Sequence, residues 1–370
     1  MPRVVLAYTG GLYTLACVHW LRHERNLQVV TYSAELGQGE RLQTAGDEAL
    51  KAGAQAAHIG DLRESFVGDY IFLALRAHAR YESGYLLGTA LSRPLIARQL
   101  VKLAREEGCE YIAHAAGHER NDAARLNRCV RSLAPDIKII CPPDEWRMKN
   151  REQLIAYLQR ARLNVPQDDP IRTGYDRNIW GATIRWFDYN DPRSEPPEEA
   201  FQMTASPQIA PDLPTVVQIQ FDRGRPVGLN GSSIAPLPLI ARLNKLGGDN
   251  AVGRIDTVEE DLAGQKTREL YEAPAAEILY RGHSALENLV MRLDLIRCKE
   301  ALAHEYASII YRGAWFEPLR ECLDAFFERS QERVSGQVRL RLFKGNCTVV
   351  SSLSPFALTK RPALRETTTP

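Results

Sequence analysis

Val4-Val5-Leu6-Ala7-Tyr8-Thr9-Gly10-Gly11-Leu12-Tyr13-Thr14 is the stretch on which the reading of this chain turns. A short apolar run of β-formers stops at a hydroxyl and two glycines. A helical pattern carrying Ala16, Val18, Trp20 and Leu21 then begins at Thr14. A buried strand feeding a glycine turn into a helix start is a common phosphate cradle. The glycines let backbone N–H groups approach an anion, and the helix end adds partial positive charge. Paired glycines also serve simply to turn a chain. The hydroxyls of Thr9 and Thr14, and the position after the first strand of an α/β chain where ligands gather, favour the phosphate reading.

Working outward, the pattern predicts a strand over 27–34, a helix from about Arg41 to Ala52 and a strand over 55–59. A long helix follows through Phe66, Tyr70, Leu73 and Leu75. Tyr85 to Thr89 read as a loop leading to a helix that opens at Pro94, where a missing N–H costs nothing, and stops at Gly108. Next come a strand over 111–114, a helix through Leu126 and Val130, and a strand over 137–141. Such alternation predicts βαβ units: an α/β fold with a parallel, doubly wound sheet of the nucleotide-binding type. After a helix over 154–163, prolines at 166, 170, 192, 196 and 197 break the rhythm and place a boundary near residue 165. Beyond it, strands at 216–221 and 227–229, helices at about 235–245 and 281–304, and a hairpin around Lys344-Gly345-Asn346 predict an α+β, mainly antiparallel unit. The expected division is 1–165, 166–357 and a polar tail over 358–370.

The 370 residues carry a net charge of +1, 25% charged and 44% hydrophobic side chains, which is ordinary globular usage. So small a net charge argues against a general nucleic-acid or membrane surface, and any anion site must be local. No apolar run approaches the roughly 18 residues needed to span a bilayer. Nor does the start read as a signal peptide, since Arg3 leads straight into a strand pattern. Seven cysteines without a CxxC pair or a Cys/His cluster predict reduced thiols in a cytoplasmic protein with no protein-built metal centre.

Several longer stretches carry a resemblance. Thr31-Tyr32-Ser33-Ala34 with Leu36-Gly37-Gln38, Tyr85-Leu86-Leu87-Gly88-Thr89-Ala90 with Arg93-Pro94-Leu95, Gly253-Arg254-Ile255-Asp256, and Val338 to Val350 together resemble the argininosuccinate synthase family over nearly the whole chain. The resemblance implies an N-terminal ATP-pyrophosphatase domain, a C-terminal synthetase domain and a homo-oligomer, tetramer or dimer, in arginine biosynthesis. It also implies two steps: the ureido oxygen of citrulline attacks the α-phosphate of ATP, accompanied by Mg²⁺, and an amine such as that of aspartate then displaces AMP. Carried over by motif, Ala7, Tyr8, Thr9, Gly10, Gly11, Leu12, Thr14, Ala34 and Ala115 correspond to the nucleotide site. Tyr85, Thr89, Gly117, Arg125, Thr183, Glu259 and Tyr271 correspond to the amino-acid pocket. Asn121 and Asp122 correspond to the place where the amine meets the activated carbon, which gives Asn121, Asp122 and Arg125 the catalytic roles. The residue chemistry agrees: Arg125 can grip a carboxylate through two N–H groups, Glu259 can hold an ammonium or ureido group, and Asp122 can orient or deprotonate an amine.

The sequence departs from the family where the chemistry lies. The family's first loop reads Ser-Gly-Gly-Leu-Asp-Thr-Ser; here Thr9 keeps a hydroxyl, Tyr13 replaces the acid and Leu15 the last hydroxyl. In the second loop Gly117 replaces a threonine, and His118, Glu119 and Arg120 replace Gly, Lys and Gly. Gly174 and Thr183 stand for serines, and Arg185 stands where an acid is common. The sequence ends soon after Pro355, without the family's longer C-terminal helix, which leaves the oligomer open. Three readings follow: the family's own reaction, the same ligase chemistry with another amine or acceptor, or a catalytically inactive relative that senses nucleotide or binds a partner.

Overall fold

The structure, a computed structural model, describes all residues except 40–41, 83, 118–120, 149, 166–173, 186–190 and 360–370. The boundary expected near 165 and most of the polar tail therefore fall at or beyond the edges of the described residues, as do the substitutions at His118, Glu119 and Arg120.

Five parallel strands, β1 (Arg3–Ala7), β2 (Gln28–Glu35), β3 (Ala56–Asp61), β4 (Tyr111–Ala113) and β5 (Lys138–Ile140), form a sheet ordered β3-β2-β1-β4-β5. Strand side chains alternate between faces, and β1 shows it. Val4 and Leu6 enter one core with Leu15, Val18, Leu154 and Leu158, while Val5 enters the other with Phe66, Ile71 and Leu100. Strand order reverses between β1 and β4, where Leu6 pairs with Ala113. The crevice beyond the C-terminal ends of these two strands is the place where open α/β sheets bind ligands. The doubly wound sheet was legible in the sequence.

The second half carries two antiparallel sheets. One is ordered β10-β9-β8-β13-β14, from β8 (Thr215–Asp222), β9 (Arg225–Leu229), β10 (Ser232–Ser233), β13 (Gly336–Phe343) and β14 (Asn346–Leu353). Its two predicted hairpins are present, with Arg223-Gly224 and Lys344-Gly345 at positive φ as tight turns of this kind require. The other, ordered β11-β12-β7-β6, is built from β6 (Tyr175–Asn178), β7 (Gly181–Ile184), β11 (Arg254–Glu260) and β12 (Lys266–Glu272). No sequence pattern announced it.

Three helix expectations are corrected. The long helix after β3 is interrupted by a π turn over Val67–Ile71, where Tyr70 stacks on Trp315 at 4.7 Å. The helix expected to open at Pro94 opens at Gly88 and runs to Glu106, with Pro94 inside it. Its first-turn N–H groups are satisfied by an upstream phenol, since the amides of Thr89 and Ala90 both donate to Tyr85 Oη at 3.1 Å. The helix expected at 281–304 is two helices, Pro274–Val290 and Leu293–Tyr311, separated by extended backbone at Met291 and Arg292.

Candidate active site

The turn after β1 has the conformation its glycines allow. Gly10 sits at φ +76°, and a Cβ there would lie 2.8 Å from Ala45 Cβ, so a side chain is excluded on both counts. Gly11 is the N-cap of the helix Leu12–His23 and supplies no side-chain cap, so the first amides of that helix keep their donors for an anion. The Thr9 and Thr14 hydroxyls lie 3.3 Å apart, and Thr14 Oγ1 donates to the Gly11 carbonyl at 3.0 Å. Tyr8 and Leu12 are buried in the core, so their contribution to the turn is backbone. Tyr13 is 43% exposed, with its ring centroid 6.4 Å from that of Trp146. The turn thus keeps its glycine geometry and hydroxyl pair with the tyrosine in place. Ala34 is the penultimate residue of the neighbouring β2, and its carbonyl accepts from Gln38 Nε2. Ala115 packs on the core beside β4, and a Cβ on Gly117 would meet only Asp144 Oδ1, at an ordinary contact distance of 3.9 Å.

The helix Asn121–Leu133 begins where the loop after β4 ends and carries three of the predicted residues. Asp122 accepts from Arg93 Nη2 at 2.8 Å and from Arg125 Nη1 at 3.0 Å, while Arg93 also reaches Asp176 Oδ2 on β6 at 2.6 Å. Burial alone would raise the Asp122 pKa, but the two guanidiniums outweigh it and hold the carboxyl well below the usual carboxylate range. Arg125 is 4% exposed.

One face of the β11-β12-β7-β6 sheet supplies the rest of the pocket. Registers Tyr271↔Thr183 and Glu259↔Thr267 put Thr183, Tyr271 and Glu259 on that face. Thr183 Oγ1 lies 3.0 Å from Thr89 Oγ1, and Tyr271 stacks on Tyr85 at 4.2 Å. Glu259 is 2% exposed, and its Oε2 has no hydrogen-bond partner. Desolvation dominates there and lifts its pKa to about 7, against the opposing pull of the Tyr311 and Tyr271 hydroxyls and of Arg125.

Sequence reasoning missed the residue at the centre of this cluster. Tyr311 Oη donates to Glu259 Oε1 at 2.9 Å and accepts from Asn121 Nδ2 at 3.0 Å. Its carbonyl accepts from Arg125 Nε at 2.6 Å, and the Arg125 guanidinium lies 4.6 Å from its ring centroid. Tyr81 stacks on its ring at 3.5 Å. In the sequence Tyr311 closes an apolar run, Ile309-Ile310-Tyr311, and reads as core. Gly313, two residues on, sits at φ +73°, where a Cβ would lie 2.6 Å from Arg125 Cα, so this close approach requires glycine. Tyr311→Phe is expected to leave Asn121 Nδ2 and Glu259 Oε1 without that hydroxyl, at a cost of about 1–3 kcal/mol. The check is a thermal melt together with the pH profile of turnover, whose rise should move to higher pH because Glu259 loses a donor.

A nucleotide-type turn after β1, and a buried cluster of charged and tyrosine side chains drawn from the helix after β4 and from the β11-β12-β7-β6 sheet, are features of an α/β enzyme acting on a small polar substrate. Residues 3–164 match the Arginosuccinate synthase N-terminal HUP domain, and residues 174–363 match the Arginosuccinate synthase C-terminal domain. The chain is 44% identical to the argininosuccinate synthase of Pelotomaculum thermopropionicum over 358 residues, covering 97% of this chain and 89% of that protein. It is 44% identical to that of Gloeobacter violaceus over 357 residues, 96% and 89% of the two chains, and 42% identical to that of Desulfitobacterium hafniense over 358 residues, 97% and 89%. The chain belongs to the argininosuccinate synthase family, and is an ATP-dependent ligase that forms C–N bonds. No helix among the described residues is long and apolar enough to cross a membrane.

Proposed function

We propose that the chain adenylates the ureido oxygen of a citrulline-like amino acid at the α-phosphate of ATP, and that an amine, aspartate or a close relative, then takes the place of AMP on the ureido carbon. The observation that carries this reading is the buried cluster in which Glu259, with an unsatisfied oxygen, lies near Arg125 held by Asp122. Asp122 and Arg125 lie on the helix that follows β4, the strand paired with β1, and β1 leads into the Gly10-Gly11 turn. Residues 1–165 act as the nucleotide unit and 166–357 as the substrate unit. The Gly10 and Gly11 backbone, the first amides of the following helix and the Thr9 hydroxyl serve the triphosphate. Magnesium arriving with the nucleotide would neutralise phosphate charge; of oxygen ligands the first turn could offer it the Thr9 and Thr14 hydroxyls but no carboxylate, because Tyr13 stands at the acid's position.

The chain's own work is positioning and charge stabilisation. Arg125 grips the substrate carboxylate, Glu259 accepts from its amine, and Tyr85, Thr89, Thr183 and Tyr271 shape the pocket. Asn121 and Asp122 stand where the second amine arrives. With both oxygens on guanidiniums, Asp122 acts by fixing Arg93 and Arg125 rather than as a base. The chain works in the cytoplasm as a homo-oligomer, a reading supported by the exposed Val349, Val350 and Leu353 on the edge strand β14. Pyrophosphate release that requires ATP, citrulline and aspartate together tests the reading, and its absence with every amine offered would refute it. Tyr13→Asp is expected to raise ATP turnover severalfold if the tyrosine limits the turn, read by the same assay.

A further inference from the structure

Glu269 belongs to no motif that the sequence or the family resemblance singles out, yet it lies in the pocket. It precedes Tyr271 by two residues on β12 and so shares its face. Glu259 pairs with Thr267 and Glu269 with Thr257, which makes the two acids diagonal neighbours on that face, with backbones about 7–8 Å apart. Glu259 is 2% and Glu269 7% exposed, and the Oε2 atom of each has no hydrogen-bond partner. Buried oxygens are seldom left this way. Arg185 Nε lies 3.8 Å from Glu269 Oε2, beyond hydrogen-bond reach. Arg93 is held between Asp122 and Asp176, and Arg125 by Asp122 and the Tyr311 carbonyl. Burial raises the pKa of both glutamates, and the nearby Glu269 charge adds to the rise at Glu259.

We propose that Glu259 and Glu269 form a two-carboxylate seat for the protonated amine of the α-amino-acid substrate, with Glu269 the residue that makes the pocket select a free ammonium. The proposal rests on the reading of this pocket as the site for a citrulline-like amino acid. An ammonium brings three donors, and charge-assisted bonds of about 2.7–2.9 Å to two carboxylates fit the span between diagonal neighbours. It satisfies both orphaned oxygens at once. A neutral amide at the same point would offer no charge and would leave at least one of them unpaired.

The test is calorimetric titration of the full chain, wild type and Glu269→Gln, with citrulline and with N-acetylcitrulline, which lacks the ammonium. Citrulline is expected to bind the variant at least tenfold more weakly. N-acetylcitrulline should bind wild type poorly and be no weaker on the variant. The melting temperature of the variant should change little, because the Arg185 contact at 3.8 Å is beyond hydrogen-bond reach; a merely structural ion pair with Arg185 would lower it. Unchanged citrulline affinity in Glu269→Gln, with Glu259→Gln still weakened, overturns the seat and leaves the adenylation reading standing. Ammonium-dependent binding without pyrophosphate release upholds the seat and overturns the adenylation reading instead.

Discussion

Arg125→Lys should lower kcat/KM for citrulline by about a hundredfold or more, equal to about 2.7 kcal/mol, although the charge is kept. The reason is geometric. Arg125 uses Nε on the Tyr311 carbonyl and Nη1 on Asp122, while its face lies on the Tyr311 ring. One ammonium cannot make those contacts and also present a fork to a carboxylate. Asp122 would still hold Arg93, so the effect should fall on citrulline and not on ATP. Steady-state kinetics with each substrate varied in turn checks this; a comparable loss of ATP affinity would show that Arg125 serves the nucleotide.

Glu259→Gln should be as severe, and its mark is a pH profile. Below pH 7 the wild-type carboxyl is largely protonated, because burial lifts its pKa to about 7. The ammonium is held by the ionised form, so citrulline KM should fall as pH rises from about 6 to about 8 and then level off. Arg125 on its helix, Glu269 and Tyr271 on β12, Tyr311 and Tyr81 all face this carboxyl and set the midpoint. Glutamine removes the titration, so the variant should show a raised KM that no longer varies with pH in that interval. A variant that kept the wild-type slope would assign the titration to another group.

What the sequence revealed and what it concealed follow the range of the interactions. The Gly10-Gly11 turn was readable because a strand, two glycines and a helix start within eleven residues fix it locally. Tyr85 and Pro94 misled because the cap on the helix opening at Gly88 comes from a phenol outside it. The β11-β12-β7-β6 sheet was hidden because Arg254–Glu260 and Lys266–Glu272 put charged residues on both faces, and because β7 reaches β12 across some ninety residues. The family resemblance assigned Glu259, Tyr271 and Thr183 to one pocket, and the fold puts the three on one face of that sheet. Tyr311 and Glu269 stayed invisible because a tyrosine ending an apolar helix and a glutamate in a charged strand carry no pattern of their own.

The most direct measurement follows one oxygen. If the ureido oxygen attacks the α-phosphate, citrulline labelled there with oxygen-18 must pass its label to AMP when the amine displaces it, with unlabelled pyrophosphate released. Mass spectrometry of the nucleotide from purified protein, ATP, Mg²⁺, labelled citrulline and aspartate should find one heavy oxygen in AMP. Unlabelled AMP, or ADP and inorganic phosphate in its place, would contradict adenylation at this site.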